Sequence, residues 1–132
     1  MQSVLHLPEN DTVRRNGVSY IRSMMNESEN VKCETANGFW GQEGYPFAEE
    51  YRMFLKAYYG AEVNYLDFIN APEEAIQTIN EWVAAHTNGK IKKLVDSSNI
   101  DELTRLVLTN AIYFKATWLV KFDESETEME EF

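Results

Sequence analysis

From Leu103 to Val120 the chain runs Leu-Thr-Arg-Leu-Val-Leu-Thr-Asn-Ala-Ile-Tyr-Phe-Lys-Ala-Thr-Trp-Leu-Val, without a glycine or proline. Its density of leucine, β-branched and aromatic side chains predicts a long strand over 103–120. Apolar residues fall on both faces, which predicts a central strand covered above and below. At about 3.3 Å per residue the run would extend roughly 55 Å, whereas a compact chain of this length is only about 35 Å across. The strand fits if it bends or breaks, or if it belongs to a larger sheet.

Upstream, Val31–Gln42 alternates as a second strand, and its glycines mark a bend or a close backbone approach. After Pro46, the residues Phe47, Tyr51, Phe54, Leu55 and Tyr58 recur at helical spacing, predicting a helix over 46–59 that Gly60 ends. Glu62–Phe68 reads as a short strand. Asn70-Ala-Pro-Glu73 has the form of a capping box with Asn at its head. It opens a helix over 71–87 with Ile76, Ile79, Val83 and His86 as its buried stripe. Asn88-Gly89 stops that helix, and Lys90, Lys92 and Lys93 place positive charge past its negative end. Residues 1–30 read as helical. There Asn10 or Asp11 caps a helix running to about Met25, with Val13, Gly17, Tyr20, Ile21 and Met24 on one side. Residues 121–132 form an acidic tail. The order strand, helix, strand, helix, strand favours parallel strands with right-handed crossovers. Taken alone, it would also suit a small doubly wound domain.

The length of 132 residues predicts a single domain, and 44% hydrophobic residues with 13% aromatics suffice for a core. A formal charge of −10 argues against nucleic acid and anionic membrane surfaces as partners. No stretch approaches the roughly 20 apolar residues of a transmembrane helix, and the first residues lack the form of a signal peptide. One cysteine, Cys33, excludes an internal disulfide and reads as a small buried strand residue.

Candidate chemistry is sparse. His6 and His86 are far apart in sequence, and His86 reads as a core or boundary histidine. The motifs of hydrolases, metalloproteases, phosphate loops and EF-hands are absent. No nucleophile and base can be assembled, so the chain does not read as an enzyme, and no cofactor or metal is expected. Glu124, Glu126, Glu128, Glu130 and Glu131 read as a solvated acidic run. Asn10-Asp-Thr12 and Asn26-Glu-Ser28 fit the glycosylation sequon at a rate chance supplies.

Asn110-Ala-Ile-Tyr-Phe-Lys-Ala-Thr-Trp118, followed by Phe122, Thr127 and Phe132, resembles the serpin pattern Asn-Ala-Ile-Tyr-Phe-Lys-Gly-x-Trp, Phe, Thr, Phe. Asp67-Phe68, Glu74-Ala75, Ile79-Asn80-x-Trp82-Val83 and Thr87-x-Gly89-Lys90-Ile91 resemble the preceding family segment at matching spacings. A departure is Ala116, where the family usually has Gly; it suggests a slightly altered bend. The resemblance implies a mixed α+β class and a partial serpin fold. Its parts are the end of helix C, helices D, E and F, and strands 2, 1 and 3 of the family's sheet A. It further implies that Asn110 lies in the "shutter" under the sheet and Trp118 in the "breach" at its top. Phe68, Asn80, Trp82, Thr87, Gly89, Lys90, Phe114 and Phe122 are implied as structural signature positions.

Serpins inhibit serine proteases when a cleaved reactive loop inserts into sheet A. The resemblance here covers the acceptor sheet and not that loop, so the expected function is part of such an inhibitor, inactive by itself. The alternative is a fragment of a non-inhibitory serpin with a binding, chaperone or storage role. The expected partners are a serine protease, for the parent protein only, and a second copy or complementing chain along the edge of strand 103–120.

Overall fold

The computed structural model describes residues 3–26, 31–118, 120 and 123–129. Its elements are α1 (Asp11–Asn26), β1 (Val31–Gln42), α2 (Glu49–Phe54, continued by a π-helical turn Leu55–Tyr59), β2 (Glu62–Leu66), α3 (Pro72–His86) and β3 (Leu106–Ala116), with a 3-10 turn at Glu124–Glu126. One three-stranded sheet has the order β2-β1-β3. β1 runs parallel to β2, with Phe39 opposite Val63. β1 runs antiparallel to β3, with Asn37 opposite Asn110.

The antiparallel β3 corrects the all-parallel expectation, and the segment after α3 supplies the reason. A helix of this length spans about 22 Å, and residues 87–105 carry the chain back along it. Midway, Asn80 grips that returning segment. Its Oδ1 accepts the amides of Leu94 at 2.7 Å and Val95 at 3.0 Å, and its Nδ2 donates to the Val95 carbonyl. β3 therefore starts beside the end of β1, where Gln42 N–H donates to the Arg105 carbonyl at 2.9 Å.

The strand expected over 103–120 is shorter. Asp101 and Thr104 close a turn in which the Asp101 amide donates to Thr104 Oγ1 and the Leu103 amide to Asp101 Oδ1, which holds Leu103 out of the sheet. Eleven residues remain, an extension of about 36 Å. β3 is also covered on one face only. Thr109 and Ala111 are buried, while Leu108, Ile112 and Phe114 are 57%, 53% and 65% exposed.

The pleat of β1 separates two layers. Ala36 and Trp40 point toward α3 and join Phe68, Ala75, Ile79, Val83, Val95, Ile100 and Ala111 in the core. Thr35, Asn37 and Phe39 point to the other face, against α1 and the π-helical turn. The glycines of β1 mark close approaches, as their sequence suggests. A Cβ on Gly38 would lie 2.5 Å from Thr109 Oγ1, and one on Gly41 would lie 2.6 Å from the Phe47 ring. That ring stacks edge-on against Phe39 at 5.0 Å. Phe47 folds back onto the sheet through a tight turn at Pro46, its amide donating to the Tyr45 carbonyl at 2.9 Å, so α2 starts at Glu49 and Pro46 lies outside it.

Other boundaries shift for local reasons. α3 is capped by Ala71, not Asn70. Asn70 is instead bound into a turn whose Asp67 carboxylate accepts the Ile69 and Asn70 amides and the Asn70 side chain. β2 accordingly ends at Leu66. The buried side of α3 is Ala75, Ile79 and Val83, while Ile76 and His86 are half-buried. Asn10 does cap α1, accepting the Val13 amide at 3.1 Å. However, Val13, Tyr20, Ile21 and Met24 are exposed. α1 carries apolar residues on two sides, and packing on Thr35 and Tyr59 selects the Val18, Arg22 and Met25 side.

Gly60 ends the π-helical turn with φ 59°, and a Cβ there would land on the Arg22 guanidinium reaching across from α1. Gly89 has φ 71° with open space around it. Gly60→Ala and Gly89→Ala should each cost about 1 kcal/mol for left-handed strain, the tip of Arg22 swinging aside from a Cβ at position 60 at little further cost. Urea denaturation of both variants measures the two costs. A second expectation concerns acid. The Ser98 hydroxyl and amide, and then Lys93, hold the Asp96 carboxyl down at about 2. A carboxylate depressed in the folded state stabilises above its unfolded value of about 4, and that contribution fades as pH falls toward the folded value. Ser98→Ala should flatten the acid limb of a pH–stability curve.

Candidate functional site

The middle of the sheet holds a chain of amides. Asn110 Nδ2 donates to Asn37 Oδ1 at 2.7 Å, and Asn37 Nδ2 donates to the Tyr59 carbonyl at 2.8 Å. The two asparagines sit directly opposite each other in the β1–β3 register. Asn37 thereby links the adjoining strand to the last residue of the π-helical turn. A groove of about 250 Å³ opens over this pair, lined by Thr35, Tyr59 and the Val18–Met25 side of α1. Thr35 Oγ1 is buried there without a partner. On the opposite face Trp40 Nε1 donates to Thr109 Oγ1 at 3.0 Å, one residue before Asn110. The centre of the β1–β3 pair is thus tied by side chains on both faces.

Trp118 does not join this cluster. It lies past the end of β3 and is 72% exposed. Its strand-end position separates it from Asn110 along the strand, so the two family positions occupy different parts of the sheet. Phe114 is on the exposed face of β3, and Phe122 lies outside the described residues, as do Glu130, Glu131 and the Asn26 sequon's Ser28.

The other signature positions secure α3 and its turns. Phe68 is fully buried, and its amide donates to Gln42 Oε1 at 2.8 Å. Gln42 Nε2 in turn donates to Asp67, whose carboxyl is held low first by Asn70 and then by this bond. Thr87 is buried, donating to the Val83 carbonyl and accepting the Ile91 amide. The Gly89 amide donates to the Ala84 carbonyl at 2.8 Å, and the Lys90 amide to Thr87. Trp82 stacks edge-on against Trp40 at 5.3 Å and donates through Nε1 to Glu62 at 2.7 Å.

Sequence reasoning missed Gln42, Glu62 and Thr109, and gave Asn37 no role beyond the family likeness of Asn37-Gly38-Phe39. One signal for Asn37 was present: a polar amide between Ala36 and Gly38, inside a strand, requires a side-chain partner. Among the described residues no three His, Cys, Asp or Glu side chains converge on a metal-sized site. Cys33 is a free, buried thiol.

The model of the serpin family, serine protease inhibitors, matches residues 1–132. An uncharacterised serpin-like protein of Methanosarcina mazei is 43% identical over 100% of this chain, which covers 31% of that protein. Human serpin B3 is 37% identical over 96% of this chain and 33% of its own length. The Arabidopsis serpin solved in its native stressed conformation aligns with a TM-score of 0.86 and 31% identity, over 99% of this chain and 34% of its own. The chain spans about a third of the length of the relatives it matches. Its sheet order and its mixed α+β layers are those of the matched part of that fold. On sequence and on fold alike, over nearly its whole length, this chain belongs to the serpins, a family of protease inhibitors and not of enzymes.

Proposed function

We propose that the chain supplies the receiving sheet of a serpin-type inhibitor of serine proteases. The observation that supports this most is β3, an 11-residue strand paired on one side with β1. Among the described residues its other edge pairs with no strand. Such an edge is a template for an added strand. In the mechanism the family resemblance implies, a cleaved reactive loop is that strand. Stored strain is released into strand pairing, and the attached protease is dragged and distorted. Asn110 takes the shutter role near the midpoint of β3, where its bond to Asn37 holds β3 to β1 while the opposite edge receives the added strand. Trp118 takes the breach role just past the strand end. The serine protease is a partner of the whole protein, and residues 1–132 inhibit nothing by themselves.

The same edge explains what the isolated chain does. Leu108, Ile112 and Phe114 stay exposed beside it. Leaving about 500 Å² of apolar surface wet forfeits roughly 12 kcal/mol, as much as a domain's whole stability. The chain alone therefore pairs along β3 with a second copy or with a complementing chain.

Three outcomes check these readings. The purified chain should leave trypsin-like and chymotrypsin-like proteases active, while a parent protein carrying a reactive loop traps one as a complex that survives a denaturing gel. A parent cleaved as an ordinary substrate would point to the non-inhibitory reading. Asn110→Ala removes the amide N–H that Asn37 Oδ1 accepts, at a cost of about 1 kcal/mol, and should loosen the β1–β3 pair, read as faster hydrogen exchange of the β3 amides around it. Sedimentation of residues 1–132 should show oligomers; a cooperative folded monomer would contradict the open edge.

A further inference from the structure

We propose that Glu62, Trp82 and His86 form a proton-dependent strap that fastens the C-terminal end of α3 to β2 and sets how readily α3 lifts off the sheet. Only its consequence for strand insertion rests on the function proposed above; the strap itself does not.

Glu62, the first residue of β2, directs both carboxylate oxygens to α3. Oε2 accepts the Trp82 indole N–H at 2.7 Å, and Oε1 lies 3.3 Å from His86 Nε2. The other histidine nitrogen, Nδ1, lies 2.8 Å from the Trp82 carbonyl. Both ring nitrogens therefore face oxygens that only accept. A neutral imidazole carries one N–H and satisfies one of them, turning a lone pair toward the other. The imidazolium donates to the Trp82 carbonyl and at the same time sets its positive charge against the Glu62 carboxylate. Two further effects act in the same direction. His86 is the last residue of α3, where the helix end is negative. Its ring also lies over the Trp82 ring, with centroids 4.2 Å apart, an arrangement that favours a cation.

The neighbouring charges are few. Glu62 faces the ring from β2. From β1, Glu34 accepts the Asn88 side chain at 3.1 Å and is paired with Lys32. Lys90 follows in the exposed turn. The rest of the attachment of α3 is apolar, through Ala75, Ile79 and Val83, and does not respond to protons. The side chains of His86 and Glu62 are 37% and 54% exposed, so salt should weaken the strap.

Hydrogen exchange tests it. Protection of amides 80–87, corrected for intrinsic exchange and referenced to amides 73–76, is compared at about pH 6 and about pH 8, the range in which histidine changes charge. The wild-type chain should show protection several-fold higher, up to about tenfold, at the lower pH. High salt should shrink that difference. His86→Gln and Glu62→Gln should both abolish it, although the amide oxygen of Glu62→Gln still accepts the Trp82 N–H. Unchanged protection of β1 and β3 amides identifies variants that remain folded. A flat wild-type profile, or a variant that keeps the wild-type profile, overturns the strap. Uptake of a synthetic strand peptide should slow at the lower pH in the wild type alone. A strap that passes the exchange test with pH-independent uptake would overturn only its link to strand insertion.

Discussion

Phe39 and Trp40, consecutive residues of β1, are the anchors on which both layers depend. The pleat sends them to opposite faces, and both are essentially fully buried. Phe39 collects the rings of Phe47, Tyr51 and Tyr65. Trp40 meets Trp82 of α3 and donates to Thr109 of β3. A central strand must also satisfy its backbone along both edges, which β2 and β3 do. The glycines at 38 and 41 follow from this crowding, because each leaves the space that a neighbouring side chain fills.

Against this apolar frame, the polar contacts are the ones that can be exchanged. Burial of Ile79 and Val83 holds α3 over the sheet without directional bonds. The amide pair Asn37–Asn110 and the Glu62 contacts hold specific elements in specific places, through bonds that another donor or a proton can replace. The layers stay attached through apolar burial, while these few hydrogen bonds hold the paired strands and α3 in register. Asn37 serves two elements at once, since it bonds β3 through Asn110 and the end of the π-helical turn through the Tyr59 carbonyl.

The existence and type of the main elements were legible because each carries a local pattern. Val31–Gln42 alternates and is a strand over those bounds. Asn10 caps α1 through its own side chain, and Gly60 ends the π-helical turn in the left-handed conformation that glycine accepts freely. The family pattern around Asn110 and Trp82 is likewise a string of adjacent letters. These features depend on residues a few positions apart, so the linear order contains them.

Tertiary structure decided what depends on residues far apart in the chain. The direction of β3 follows from Asn80 gripping the returning segment at Leu94 and Val95, a contact no periodicity announces. Asn70 failed as a cap because Asp67 claimed it first, and Pro46 failed as a helix start because Phe47 was drawn onto Gly41. Which apolar side of α1 faces inward was settled by Thr35 and Tyr59. The partners of Asn37, Trp82 and His86 lie on other elements as well. Sequence determined the elements because propensity and capping are short-range; only packing chose their faces, directions and partners, because burial and hydrogen bonding are satisfied across the whole fold.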